Sequence, residues 1–170
     1  VNADPDATKT VLGLSEQGRD VSLLTITNPG IPVDDKKVMY IIGRLHAQES
    51  TSSHMLKGMI DFLLSDDPDA QRLRDDFVWY IVPMGNPDGV YLGNSRGTSE
   101  DRDPNRDWQN DESVEINIIR DHVTSIDADY GVDLFIDWHS HMNDDRWFNF
   151  VYSPSGNTFY SFLSANTDFD

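Results

Sequence analysis

Residues 38–45, with the sequence VMYIIGRL, form a nearly continuous apolar run. Such a run is typical of a strand that is buried on both faces, as in the centre of a parallel sheet. Residues 77–82 (FVWYIV) and 132–137 (VDLFID) have the same character. Apolar residues recur at helical spacing over 51–64 and 113–126, which precede the second and third of these strands. The order strand, helix, strand, helix, strand predicts an α/β fold.

The segments around these elements give further expectations. Residues 21–26 (VSLLTI) predict another strand, and residues 148–152 predict one more. We interpret residues 1–10 as a polar lead-in, the Asp-Pro pair at 67–68 as the end of the first helix, and Asn-Pro-Asp-Gly at 86–89 as a tight turn.

Length and composition exclude several classes of protein. The chain has 170 residues, enough for one domain, so we treat 1–170 as a single domain. Its formal charge is −17, from 13 basic and 30 acidic residues, which excludes nucleic acid and an anionic membrane surface as partners. No apolar run approaches the roughly 18 residues of a membrane helix. The absence of cysteine excludes a disulfide scaffold, thiol catalysis and cysteine-ligated zinc.

Polar residues follow each of the three central strands at the point where the strand ends. They are HAQE at 46–49, PMGNPDG at 83–89 and WHSH at 138–141. Ligands of open α/β sheets bind outside the carboxyl ends of the strands. The sequence therefore predicts a functional site along this edge.

The first and third clusters contain the ligand types of a zinc site. His46 and Glu49 are three residues apart at a strand-to-helix junction, and His139 follows another central strand. Two histidines and one carboxylate suit a zinc ion whose fourth position stays open for water. The spacing alone is weak evidence, because it also suits a structural loop histidine and a carboxylate favoured in the first turn of a helix.

Two arginines lie near this edge, Arg96 and Arg106, in loops rich in glycine and asparagine. In so acidic a chain they suggest recognition of a carboxylate or of a developing oxyanion. The structural alternative is that each arginine pairs with a nearby aspartate. We interpret His54 as structural or exposed and His122 as a helix-surface residue.

Five short motifs are specific as a set, although each is weak alone. In chain order they are HxxE at 46–49, NPDGV at 86–90, GNxR at 93–96, NRxW at 105–108 and DxH at 137–139. Their order and approximate spacing resemble those of the zinc metallocarboxypeptidases, and most of all the cytosolic-carboxypeptidase-like branch. The resemblance covers most of the chain.

The resemblance implies a metal site and a fold. His46, Glu49 and His139 match the family's zinc ligands, which would hold one zinc ion per chain. Asp103 matches the acid that orients the first ligand histidine. The implied architecture is α/β, with a mixed, mostly parallel central sheet and flanking helices.

The resemblance also implies how substrate is handled. Arg96 matches the arginine that polarises the scissile carbonyl and steadies the tetrahedral oxyanion. Asn105 and Arg106 match the pair that binds the free C-terminal carboxylate. The implied function is zinc-dependent hydrolysis of the C-terminal peptide bond of a peptide or protein, in the cytoplasm.

The chain departs from the family pattern at the general base. That base is a glutamate well downstream of the third zinc ligand, whereas no glutamate follows Glu115 in this sequence. We therefore interpret 1–170 as the N-terminal and central part of an incomplete catalytic domain, without the C-terminal part that supplies the base. In addition, Ala-Gln at 47–48 replaces the usual Pro-Gly.

Two alternative functions stay open. A zinc amide hydrolase of small N-acyl amino acids, of the aspartoacylase kind, shares the ligand pattern and also uses arginine to hold a carboxylate. A non-catalytic pseudoenzyme that binds metal or peptide would account for the missing base.

Overall fold

The computed structural model describes residues 4–140. The β-strands of this part are β1 (Ala7–Leu14), β2 (Asp20–Ile26), β3 (Lys37–Gly43), β4 (Phe77–Val82) and β5 (Leu134–Trp138). Its α-helices are α1 (Ser50–Leu63), α2 (Pro68–Asp76), α3 (Pro87–Leu92) and α4 (Val114–Tyr130). Short 3-10 helices lie at Val33–Asp35 and Pro104–Arg106. The strand expected over 148–152 lies outside the described residues.

Within residues 4–140 the strands form one mixed sheet in the order β1-β2-β4-β3-β5. The three apolar runs become β3, β4 and β5, which are parallel to one another with β3 in the middle. Strands β1 and β2 add an antiparallel hairpin, and β2 pairs with β4. The α/β fold with a mixed central sheet and flanking helices is therefore confirmed.

Alternate residues of β3 pack on opposite faces of the sheet, as the pleat of a strand requires. Tyr40 and Ile42 belong to the core layer under α4, together with Ile116 and Ile119 of that helix. Ile41 belongs to the opposite layer, which contacts α1 and α2. Since both faces are covered, β3 needs an apolar residue at nearly every position. Among the described helices, none combines the length and the apolar character needed to cross a bilayer.

The interpretation of residues 1–10 as a polar lead-in is wrong. Strand β1 begins at Ala7 and pairs with β2 from Ala7 to Leu14, with a bulge between Val11 and Gly13. Its residues are mostly exposed because β1 lies at the edge of the described sheet, with one face partly in water. An edge strand needs few apolar side chains, so its sequence, ATKTVLGL, is only weakly apolar.

Two short polar sequences begin helices, whereas we expected a helix end and a tight turn. The Asp67 carboxylate accepts a hydrogen bond from the Asp69 amide and caps α2, after α1 has already ended at Leu63. Likewise, the Asn86 side chain accepts from the Gly89 amide and caps α3. In both cases proline occupies the first helical turn, where no backbone N–H is needed.

Candidate active site

The candidate site lies where β3, β4 and β5 end. Residues 44–49, here called the metal loop, follow β3 and carry His46 and Glu49. His139 comes directly after β5. Residues 93–98, here called the arginine loop, follow α3 and carry Arg96. Because the three strands are parallel, their carboxyl ends meet at one edge, and the loops converge there as the strand order predicts.

His46 is buried, and both of its ring nitrogens face carboxylates. Its Nδ1 atom lies 2.8 Å from Oε1 of Glu49. On the other side of the ring, Nε2 lies 3.0 Å from Oδ1 of Asp103. Asp103 therefore fixes the orientation of the His46 ring, as expected for an acid that supports a ligand histidine.

His139 repeats this arrangement from β5. Its Nδ1 atom lies 2.9 Å from Oε2 of Glu49 and 3.1 Å from Nδ1 of His46. Its Nε2 atom lies 2.8 Å from Oδ2 of Asp137, two residues earlier on β5. The amide of Ser140 donates to Oε2 of Glu49 at 3.0 Å, which orients this carboxylate between the two rings.

This donor set suits a divalent cation. When each Nε2–H donates to its aspartate, the Nδ1 lone pairs of both histidines point at the Glu49 carboxylate. Acceptors would then face acceptors at about 3 Å, which is unfavourable unless a proton or a metal ion lies among them. One ligand atom from each of the three side chains lies within 4.8 Å of the others. Imidazole and carboxylate are ordinary zinc ligands, so the residues fit that metal.

The charges of the site are consistent with ligands that bind a cation. Burial opposes ionisation of Glu49, but hydrogen bonds from His139, His46 and the Ser140 amide lower its pKa to about 2. Burial likewise opposes the imidazolium form of His139, but hydrogen bonds to Asp137 and Glu49 raise its pKa to about 9. In the metal-free protein His139 therefore carries the positive charge that a metal ion would replace.

Arg96 joins the site through Asp103. Its Nη2 and Nε atoms donate to Oδ2 of Asp103 at 2.7 Å and 3.2 Å, while Oδ1 of the same carboxylate contacts His46. Burial opposes ionisation of Asp103, but hydrogen bonds from Arg96 and His46 hold its pKa below the usual range. The Arg96 side chain is 45% exposed, so its guanidinium remains accessible to solvent while it contacts the Asp103 carboxylate.

Asn105 and Arg106 lie on the 3-10 helix that follows Asp103. The amide of Asn105 donates to Oδ1 of Asp103 at 3.0 Å, which ties this helix to the His46 carboxylate partner. In the described part of the chain, the guanidinium of Arg106 makes one hydrogen bond, to the carbonyl oxygen of Asn105. The two arginines thus differ: Arg96 is paired with a carboxylate, whereas the exposed Arg106 has no carboxylate partner within residues 4–140.

Two residues of the site, Asp137 and Asn86, belong to the quoted motifs but had no predicted role, and the prediction for His122, elsewhere in the fold, is wrong. Asp137 supports His139 as Asp103 supports His46. Asn86 is buried and bonds both the metal loop and the arginine loop. His122 is not a simple surface residue, because it is half-buried against the rings of Tyr40 and Tyr80.

The fold and the donor set define the class of protein. A His, His, Glu cluster at the carboxyl edge of a mixed α/β sheet, with an arginine beside it, is the arrangement of a metal-dependent hydrolase. Residues 1–159 match the zinc carboxypeptidase family, and the chain belongs to that family.

Individual relatives agree with this assignment. Cytosolic carboxypeptidase 2 of Xenopus tropicalis is 38% identical over 145 residues, which are 82% of this chain and 15% of that protein. Cytosolic carboxypeptidase 6 of Mus musculus is 50% identical over 99 residues, 57% of this chain and 18% of that protein. The crystal structure of a metallo-carboxypeptidase from Burkholderia cenocepacia superposes with a TM-score of 0.72 at 35% identity, over 81% of this chain and 37% of the other. The chain thus spans less than a fifth of these two curated relatives.

Proposed function

We propose that residues 1–170 are the N-terminal and central part of one zinc carboxypeptidase catalytic domain, which hydrolyses the C-terminal peptide bond of a peptide or protein. The observation that carries this proposal is the convergence of His46 and His139 on Glu49, with each ring backed by an aspartate. The names of the curated relatives support a cytoplasmic location.

We assign the metal-binding role to His46, Glu49 and His139, which would hold one zinc ion. When bound, zinc supplies Lewis acidity toward the scissile carbonyl and lowers the pKa of a water molecule. Asp103 and Asp137 orient the two imidazoles with Nδ1 toward Glu49, because each accepts the proton on Nε2.

We assign substrate binding to side chains around the His46, Glu49 and His139 cluster. The exposed guanidinium of Arg96 donates to the carbonyl oxygen of the scissile bond as negative charge develops there. Arg106, whose charge is not paired with a carboxylate in the described residues, binds the terminal carboxylate of the substrate with Asn105. A terminal carboxylate anchored beside an oxyanion-binding arginine restricts cleavage to the last peptide bond. We assign no general base, since no glutamate follows Glu115.

Metal stoichiometry on the purified chain tests the metal site. We expect close to one zinc ion per chain, and we expect His46→Ala and Glu49→Ala to remove it. His54→Ala is the matched control, because His54 is an exposed histidine of α1 and should leave zinc binding unchanged. A metal-free chain after zinc has been offered, or equal zinc content in all four proteins, contradicts the proposal.

A substrate panel tests the reaction. It contains one peptide with a free C-terminus, the same peptide with an amidated C-terminus, and an N-acyl amino acid. Cleavage of the first alone supports carboxypeptidase action, because of the two peptides only the first offers a carboxylate to Arg106. Cleavage of the N-acyl amino acid alone supports the small-molecule amide hydrolase instead. A zinc-loaded chain that binds the free peptide and cleaves nothing supports the non-catalytic binder.

A further inference from the structure

We propose that Asn86 is a positioning residue whose side-chain amide fixes the arginine loop against the metal loop and so sets where Arg96 lies relative to the metal ligands. The role of Arg96 is part of the proposed function, and the functional half of this inference rests on it. The structural half, that Asn86 links the two loops, does not.

The Asn86 side chain is completely buried and bonds both loops at once. Its Nδ2 atom donates to the carbonyl oxygen of Leu45, in the metal loop, at 3.2 Å. The same Nδ2 donates to the carbonyl oxygens of Gly97 at 3.0 Å and Arg96 at 3.4 Å, in the arginine loop. The two loops that carry His46 and Arg96 therefore meet at one amide group.

The remaining polar groups of Asn86 hold the residue itself in place. Its Oδ1 atom accepts from the Gly89 amide at 2.8 Å and caps α3, and its own amide donates to the carbonyl oxygen of Arg44 at 3.2 Å. An amide group is the only neutral side chain that can accept from an N–H and donate to several carbonyls at the same time. The side chain of asparagine at position 86 therefore offers a donor or an acceptor to each of these hydrogen-bond partners.

Gly89 makes room for this contact. A Cβ atom at position 89 would overlap the carbonyl oxygen of Gly97 and the side-chain amide of Asn86. The arginine loop can thus approach α3 closely only because residue 89 has no side chain. Asn and Gly of the Asn-Pro-Asp-Gly motif serve a single contact between loops.

A second contact between the two loops can be used to measure whether they stay together. The amide of Gln48 donates to the carbonyl oxygen of Ser95 at 3.0 Å, and the Ser95 hydroxyl donates to Oε1 of Gln48 at 2.6 Å. Both hydrogen bonds join the metal loop to the arginine loop near the protein surface. If Asn86 holds the loops together, protection of the Gln48 amide against hydrogen exchange depends on Asn86.

The test compares Asn86→Ser with Asn28→Ser by hydrogen exchange of the metal-free chain. Serine still caps a helix but cannot donate to three carbonyls. Asn28 is a matched control, because its Oδ1 also accepts from a backbone amide (Gly30) while its Nδ2 donates to Asp75, away from the site. We expect the Gln48 amide to exchange about tenfold faster or more in Asn86→Ser, because buried carbonyls lose their donor, and to be unchanged in Asn28→Ser. Equal exchange of Gln48 in wild type and Asn86→Ser overturns the link.

A second variant keeps the test decisive if Asn86→Ser does not fold. Gly89→Ala keeps the asparagine at position 86 but forces its side-chain amide and the Gly97 carbonyl apart, because the added Cβ would overlap both. The same acceleration of exchange at Gln48 is expected, and full protection in this variant also overturns the link.

The functional half is tested with a peptide phosphonate, a stable tetrahedral mimic, on the zinc-loaded chain. We expect Asn86→Ser to weaken phosphonate binding about tenfold, to leave zinc content unchanged, and to have no further effect in an Arg96→Ala background. Equal losses in both backgrounds show that Asn86 does not act through Arg96. Unchanged binding in Arg96→Ala alone instead contradicts the role proposed for Arg96, while the exchange measurement still decides whether Asn86 links the loops.

Discussion

Asp88 and Arg19 form an ion pair between the start of α3 and the turn that joins β1 to β2, with Oδ1 and Nη1 2.7 Å apart. Asp88 is completely buried and also accepts from the Ser15 hydroxyl at 2.7 Å and the Gln17 amide at 2.8 Å. The Arg19 guanidinium lies over the ring of Tyr91, 3.7 Å from its centroid. This network anchors α3, which leads directly into the arginine loop, to the edge hairpin of the sheet.

Removal of the Asp88 carboxylate should therefore destabilise the fold. We expect Asp88→Ala to lower the free energy of unfolding by about 2–4 kcal/mol, because it leaves an arginine and a backbone amide without their acceptor. Asp61→Asn is the control: it breaks an exposed pair with Lys57 on α1, which should cost less than about 0.5 kcal/mol. Urea unfolding measures both, and similar losses for the two variants would show that the Asp88 network is unimportant.

The central strands could be predicted from sequence because burial on both faces requires nearly every residue to be apolar. The run at 77–82 is β4 without change, and the run at 38–45 overlaps β3, which begins one residue earlier, at Lys37, and ends at Gly43. Strand β1 could not be predicted in the same way, because an edge strand that faces water carries no such requirement. Its pairing partner, β2, is what makes it a strand.

The site likewise contains some residues that could be predicted from sequence and others that could not. His46, Glu49 and His139 could be proposed from sequence because few residue types bind zinc. Asp137 could not be assigned its role, since the chain has 25 aspartates and only the folded geometry shows which one contacts His139. The linking role of Asn86 could not be predicted either. It depends on the carbonyl oxygens of Leu45, Arg96 and Gly97, whose positions are fixed only in the folded loops.

Asp137 should strengthen zinc binding through His139. We expect Asp137→Asn to weaken zinc affinity about tenfold and Asp137→Ala to weaken it by up to about 100-fold, as for other carboxylates that support a ligand histidine. Asp103→Asn should act similarly through His46. Asp121→Asn, on the exposed surface of α4, should leave the affinity unchanged. Competition with a chromophoric chelator measures the four values, and wild-type affinity in Asp137→Ala would exclude a supporting role.

His122 should make stability depend on pH. Burial lowers the pKa of His122 and raises the pKa of Tyr40, whose hydroxyl lies within hydrogen-bond distance of Nδ1 of His122, at 3.0 Å. The unfolded chain, with an ordinary histidine pKa of about 6.5, binds a proton at higher pH than the native state does. The native state therefore loses stability as the pH falls below about 6.5. This loss ends once the pH is below the lowered pKa of His122 in the folded protein.

This pH dependence can be measured by difference. The free energy of unfolding of the metal-free wild type should fall more steeply between pH 7 and pH 5 than that of His122→Gln, which retains a hydrogen-bonding group for Tyr40 but does not titrate. The difference cannot exceed about 1.4 kcal/mol per pH unit for one proton. His54→Gln removes an exposed histidine and should follow the wild-type curve. Parallel curves for wild type and His122→Gln would contradict the prediction.

Arg44, at the start of the metal loop, combines a strained backbone with a side chain that holds the loop. Its φ angle is 58°, in the left-handed region that favours glycine. Its Nε and Nη2 atoms donate to the carbonyl oxygen of Ala47 at 2.9 Å and 2.7 Å, and Nη1 donates to the Ser53 hydroxyl at 3.1 Å. These bonds hold the metal loop at Ala47 and tie it to the first turn of α1.

Two substitutions separate the strain at Arg44 from its hydrogen bonds. Both Arg44→Ala and Arg44→Gly delete the guanidinium, but only glycine relieves the left-handed strain. We therefore expect the glycine variant to be the more stable of the two by about 1 kcal/mol. At Lys57, an exposed position within α1, the order should be reversed, with alanine more stable than glycine by about 1 kcal/mol. Urea unfolding of the four variants measures both differences; the same order at the two positions would show that the backbone at residue 44 is not strained.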